Sequence, residues 1–180
     1  MPHHQNSPHW QVFCGDILEY PADALICSAN VQLNMSGGVG GAILLRYGDR
    51  MQQELWDYRA SLGVSFVSPG TVAQTSSGGT PFRFVVHAVA VDGFYQTTRS
   101  LLVSTIRAAV KKCSEGNAET VALTALATGY GHLSVAEFGK CIEEIAHEVF
   151  VPVKTITVVM QNSADTEELA NVLKSSASRC

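Results

Sequence analysis

The sequence predicts an α/β domain whose helices pack on a mostly parallel central sheet, and three observations carry that prediction. Strand-like and helix-like segments alternate from Trp10 onward. The strand-like segments are continuous apolar runs, the pattern of strands buried on both faces rather than the one-sided alternation of an exposed sheet. Two glycine-rich loops, 30–41 and 128–132, each follow such a run. Both therefore fall at the edge where parallel strands end, the edge at which ligands bind in such sheets.

Taken in order, residues 10–14 (WQVFC) read as a short strand ending at Gly15. Residues 22–27 contain ALIC (24–27), an apolar run of buried-strand length. Residues 39–62 have helical spacing, with Ile43, Leu44, Tyr47, Met51, Leu55, Tyr58 and Leu62 able to line one side. The β-rich runs 71–75 and 82–89 flank SSGG (76–79), a hairpin signal that adds antiparallel pairing. Residues 98–112 form an amphipathic helix with Leu101, Leu102, Ile106 and Val110 as its apolar face. Residues 120–126 read as another buried strand. Ser134 and Glu137 make a capping box that opens a helix to about residue 150. Residues 154–160 are the final strand, and Asp165 is positioned to N-cap a last helix over 166–175.

A chain of 180 residues is long enough for one compact core and too short for two. Residues 10–180 therefore read as a single domain, preceded by a loose tail over 1–9. With 12 basic against 16 acidic residues and a net charge of -4, there is no electrostatic reason to expect nucleic acid or an anionic membrane as partner. A small anionic ligand stays open, because backbone N–H groups bind phosphate without Lys or Arg. No apolar stretch has the length of a membrane span, and residues 1–9 lack the pattern of a signal peptide. The cysteines (Cys14, Cys27, Cys113, Cys141 and Cys180) form an odd set without a C-x-x-C pair, which points to free thiols in a reducing cytoplasm. A Cys27–His87 nucleophile pair is conceivable, although Cys27 sits inside an apolar run. A metal site from His3, His4 and His9 is a weaker reading than a solvated tail, so neither metal nor cofactor is expected.

The segment SGGVGGAI (36–43) carries the chemistry. Its glycines let backbone approach a ligand closely where a strand feeds a helix, so free N–H groups and the helix dipole face the guest. A pyrophosphate suits such a cradle; a plain flexible connection is the bland alternative. Two familiar phosphate motifs fail. Gly38 to Ile43 has Ile where a dinucleotide fingerprint wants a third small residue, and no G-x-x-x-x-G-K-[ST] is present. The loop ATGYGH (127–132) offers a second set of donors, with Tyr130 able to cover a sugar or phosphate. Asp16 follows the first strand, where it can accept from an adenine amino group or cap the next turn. Asn30, at the mouth of the glycine loop, suits ribose hydroxyls. His87, in an apolar strand, reads as a core histidine.

Together these segments resemble the macrodomain family of ADP-ribose-binding modules, in order over residues 10–173. GDI (15–17) resembles the family's GDI-T turn, and ALICSAN (24–30) resembles A-I-V-N-A-A-N. LNMSGGVGGAI (33–43) is similar to L-x-x-G-G-G-V-x-x-A-I, FVVHAV (84–89) to Y-V-I-H-A-V, and ATGYG (127–131) to S-x-G-x-Y-G, one residue shorter. The resemblance implies a three-layer α/β/α fold with a mixed, mostly parallel sheet. It implies adenine contact by Asp16 and Ile17 and distal-ribose contact by Asn30. The diphosphate would lie between Ser36, Gly37, Gly38, Val39, Gly40, Gly41 and Ile43 on one side and Thr128, Gly129, Tyr130 and Gly131 on the other. The implied partner is ADP-ribose or an ADP-ribosylated protein or metabolite.

Departures bear on activity more than on binding. Relatives that hydrolyse ADP-ribosyl esters carry Asp directly after G-G-G-V; here it is Gly40. The His often found four residues later is Leu44, the first Asn of N-A-A-N is Cys27, and Met35 replaces the His of some viral relatives. The adenine-stacking aromatic is replaced by Met160 or Gln161. A second function, hydrolysis of mono-ADP-ribosyl esters, O-acetyl-ADP-ribose or ADP-ribose-1″-phosphate, would have to orient water through Asn30 as the catalytic side chain, backbone groups and the ligand's own phosphate.

Overall fold

The computed structural model describes residues 7–177, with side chains described through Lys174. The strands are β1 (His9–Cys14), β2 (Ala24–Ser28), β3 (Val72–Ser76), β4 (Phe84–Ala88), β5 (Thr120–Leu123) and β6 (Thr155–Met160). The helices are α1 (Gly38–Tyr47), α2 (Arg50–Ser61), α3 (Arg99–Glu115), α4 (Val135–Ile145) and α5 (Ser163–Ala177). One six-stranded sheet runs in the order β1-β6-β5-β2-β4-β3. Every pairing is parallel except β3 with β4, where the predicted hairpin forms.

The two-residue period of β2 shows why the fold has three layers. Ala24 and Ile26 join the core under α3, α4 and α5, with Leu102, Ile106, Phe138, Ile142 and Leu169. Leu25 and Cys27 face the other way, into the core beneath α1 and α2 with Ile43, Met51 and Leu55. All four β2 positions are fully buried, which is the reason they read as a continuous apolar run.

Several boundaries differ from expectation, each for a local reason. The helix expected over 39–62 is two helices, because Gly48 takes φ +83° and its N–H closes α1 on the Leu44 carbonyl. Ile43, Met51 and Leu55 remain buried in line, but Leu62 falls beyond the helix and is exposed. The capping box of Ser134 and Glu137 forms as predicted, yet α4 stops at Ile145 rather than near 150. The last helix begins at Ser163, ahead of Asp165. Asn162 does the capping there, its Oδ1 accepting from the Asp165 N–H at 2.8 Å. Strand β5 ends at Leu123, and Thr124 N bonds Ile26 O as the chain turns away. In the expected tail, His9 is already paired in β1, while His3 and His4 lie outside the described residues. Among the described residues no helix is long and apolar enough to cross a membrane.

Candidate functional site

The mutually parallel strands β1, β6, β5, β2 and β4 all end at one edge, and the segments leaving them enclose a cavity of about 500 Å³. Gly15 and Ile17 come from the β1 exit, Asn30 to Gly40 from β2, and Ala90, Val91 and Tyr95 from β4. Ala125 to Gly131 come from β5, and Gln161, Asn162 and Asp165 from β6. The antiparallel strand β3 contributes nothing to this lining.

The first wall is the start of α1. Its N-cap, Gly37, has no side chain to accept a helix amide, and the first intrahelical bond is Gly41 N–H to Gly37 O at 3.0 Å. The amides of Gly38, Val39 and Gly40 therefore have no helical acceptor and sit at the positive end of the dipole, on the cavity wall. Gly40 packs closely on the preceding loop: a Cβ there would lie 3.2 Å from Met35 Cα, a tight approach that Met35 would have to yield to.

The second wall, 125–131, folds on itself. Thr128 N–H and Oγ1 both donate to the Ala125 carbonyl, His132 N–H donates to Gly129 O, and Leu133 N–H to Ala127 O. Ala127 and His132 take positive φ to allow this. A Cβ on Gly131 would lie 2.9 Å from Ala127 Cα, with the Ala127 carbonyl oxygen closer still. The amides of Gly129, Tyr130 and Gly131 lie between these bonds. Tyr130 closes the gap between the walls: its hydroxyl would sit 3.1 Å from a Cβ on Gly37. Its ring rests against Tyr95, centroids 5.7 Å apart.

Other expected site residues are placed differently. Ile43 is fully buried in the core beneath α1, and Gly41 has spent its N–H on the helix, so neither lines the cavity. Ile17 does line it. Asp16 lies in an adjoining recess with Arg46, Ala42 and Gln161. Its Oδ1 accepts from Leu18 N at 2.9 Å and its Oδ2 pairs with Arg46 at 2.5 Å. The Arg46 hydrogen bond, helped by the Leu18 amide, holds this carboxyl below the usual carboxylate range.

Asn30 is at the cavity, but its amide is largely occupied. Oδ1 accepts from Gln32 N and Asn34 N, each at 3.1 Å, and Nδ2 donates to Asn34 O at 3.0 Å. One N–H is left to offer a ligand, and no lone pair is left to accept a proton. Through that N–H Asn30 can orient a ligand or water oxygen, but it cannot take up a proton.

His87 is almost fully buried at the floor of the cavity, with Nδ1 3.4 Å from Cys27 Sγ and Nε2 3.0 Å from Thr75 Oγ1. Burial pushes its pKa down to about 4 and that of the Cys27 thiol up to about 12. A neutral imidazole beside a protonated thiol is not an activated nucleophile pair. The core reading of His87 holds. Of the two candidates for contact with an adenine face, Met160 is buried and Gln161 exposed, and both line the cavity.

The β4 exit was missed by sequence reasoning. Tyr95, with φ +60°, is held there because Asp92 Oδ1 accepts from Phe94 N and Gln96 N at 2.8 and 2.9 Å. The Asp92-Gly93 pair signals such a turn, but nothing local places it opposite Tyr130. Asp165 reads on sequence only as a helix-start residue and Asn162 carries no signal; their place on the wall follows from β6 lying next to β5.

With this geometry in view, similarity to known proteins is informative. The family model described as Macro domain matches residues 26–142. An uncharacterized protein of Pyrobaculum aerophilum is 30% identical over 164 residues, covering 89% of this chain and 88% of that one. Another, from Sulfurisphaera tokodaii, is 35% identical over 127 residues, 68% of this chain and 66% of its own length. For several further curated relatives the chain spans two thirds of their length or less, down to 31%. Among solved structures, an Oceanobacillus iheyensis macrodomain with ADP superposes with a TM-score of 0.88 at 22% identity, covering 100% of this chain and 97% of that one.

Proposed function

The chain belongs to the Macro domain family, and on that premise we propose that it binds ADP-ribose, free or attached to a protein or metabolite, in the cavity at the strand ends. The observation that carries this reading is the convergence of two sets of backbone amides, Gly38 to Gly40 and Gly129 to Gly131, on one cavity bridged by Tyr130. A diphosphate between them replaces water at donors that the fold leaves unpaired, next to a helix N-terminus. The cavity lining contains no Lys or Arg, so the anion is held by backbone dipoles rather than by cations. About 500 Å³ lies within the range of small-ligand sites.

In this reading the adenosine lies toward Ile17 and the Asp16 recess, with Met160 and Gln161 as its wall. The second ribose lies toward Asn30, which offers its remaining N–H. A nucleotide diphosphate is also what the similar Oceanobacillus iheyensis macrodomain was solved with, namely ADP. Calorimetric titration tests it: ADP-ribose should bind more tightly than ADP, and ADP more tightly than AMP or NAD. No heat with ADP-ribose at millimolar concentration would sink the reading.

The hydrolytic alternative has one carboxylate in the lining, Asp165, but it stands at the start of α5, where it accepts from Asn162 Nδ2 at 2.7 Å, and not at the Asn30 end. Gly40 supplies no carboxylate, the His87 ring is buried and neutral, and Asn30 has no free acceptor. We therefore propose a binding module, and expect ADP-ribosyl esters to be held without turnover.

A further inference from the structure

Helix α2 packs beneath the strap formed by residues 30–35, and three side chains on one of its faces grip that strap. Gln52, Trp56 and Arg59 follow the i, i+4, i+7 spacing of a single helical stripe. Gln52 is 5% exposed and makes two bonds: its Oε1 accepts from Met35 N at 2.7 Å and its Nε2 donates to Leu33 O at 2.9 Å. Trp56 Nε1 donates to Asn34 Oδ1 at 3.2 Å, and Arg59 Nη1 to Gln32 O at 2.5 Å. The strap is thus held at Gln32, Leu33, Asn34 and Met35 by a helix that has its own place in the core, through Met51 and Leu55.

The strap needs that support. Leu33 takes φ +55°, a conformation that L side chains rarely adopt, while its side chain is fully buried. Asn30 spends its amide on the same turn, so the direction of its one remaining N–H is set by where Asn34 and Gln32 sit. A primary amide is the side chain that can meet an N–H and a C=O two residues apart at once. Met and Leu would leave both groups buried and unpaired.

We propose that Gln52 is a positioning residue for ligand specificity: by fixing the Leu33–Met35 backbone it aims Asn30 and so sets the preference for ADP-ribose over ADP. The proposal rests on the ADP-ribose reading above and adds a residue that does not line the cavity. It separates the two ends of the site. The diphosphate donors belong to α1 and to the 125–131 loop, which Gln52 does not touch, whereas the end reached by the second ribose is built on the strap.

The test is paired titration of ADP-ribose and ADP into wild type and Gln52→Met, with the melting temperature of each recorded so that both ligands are measured on folded protein. Gln52→Met should lose about tenfold in ADP-ribose affinity while ADP changes by no more than about threefold, so the preference between them collapses. A second variant keeps the proposal testable if that substitution impairs folding. Trp56→Phe with Arg59→Met removes the two half-exposed grips and should lower the same preference by about two- to threefold. A parallel loss of both ligands, or a preference left intact in both variants, overturns the proposal. Wild-type protein that binds neither ligand instead overturns the ADP-ribose reading itself, and this inference falls with it.

Discussion

The two walls of the cavity do the same job by different constructions. The β5 exit, 125–131, is closed by its own backbone, with three turns of hydrogen bonding inside nine residues and a glycine where Ala127 leaves no space. The β2 exit is held from outside, by Gln52, Trp56 and Arg59 on a helix that begins twenty residues after Asn30. A self-closed loop depends on the conformations its own residues can adopt. A loop held at a distance depends on the rest of the fold being in place. Perturbing each construction separately should therefore give different kinds of failure.

The largest expected effect tests the dependence of the β2 exit on buried groups below it. His87 is bonded to Cys27, three residues before Asn30, and burial lowers its pKa from 6.5 to about 4. Below pH 6.5 the unfolded chain takes up a proton that the folded chain refuses until about pH 4. Stability is therefore complete above pH 6.5 and is lost as pH falls through this window, by roughly 3 kcal/mol in order of magnitude. Denaturant titrations at a series of pH values should show this slope, and His87→Gln should flatten it between pH 6.5 and 4. Parallel curves for the two proteins would disprove the assignment.

Next in size is Gly131→Ala. The new methyl meets backbone, not a flexible side chain, so the 125–131 wall must open to admit it. ADP-ribose affinity should fall by about fiftyfold, roughly 2 kcal/mol, and ADP should lose a similar factor because the diphosphate wall itself has moved. An ADP-ribose loss with ADP spared would mean that the two exits have been assigned to the wrong ends of the ligand. The smallest effect is expected for Ser134→Ala, which removes the capping box just beyond that loop. It should cost about 1 kcal/mol of stability in thermal or chemical denaturation, and ligand affinity should stay within twofold. A larger change in affinity would show that the loop is not self-closed after all.

The contrast also explains which parts of the site were legible in the sequence. Ser134 and Glu137 announce their cap at a fixed spacing, and the glycines of 36–41 announce a backbone approach, because both are local requirements. The apolar runs of β2 and β4 were readable for the same reason: a strand buried on both faces has no polar position to spare. Gln52 carries no such signal. On sequence it is one polar position in a helix, beside the apolar Met51 and Leu55 that mark the buried face. The break at Gly48 was missed because periodicity runs through it unchanged, and only the positive φ of that glycine ends the helix.

What the sequence determined by itself was the layered α/β fold, the parallel strand core and the two glycine-rich loops that wall the candidate site. These depend on periodicity, burial and turn chemistry, each set within a few neighbouring residues. Tertiary structure decided which groups are free to act. It left Gly41 and Ile43 out of the cavity lining, paired Asp16 with Arg46, and left Asn30 a single N–H. It also brought Tyr95 against Tyr130 and Gln52 under Met35. Whether a donor or acceptor is free depends on which partners the fold brings to it, and those partners lie far along the chain.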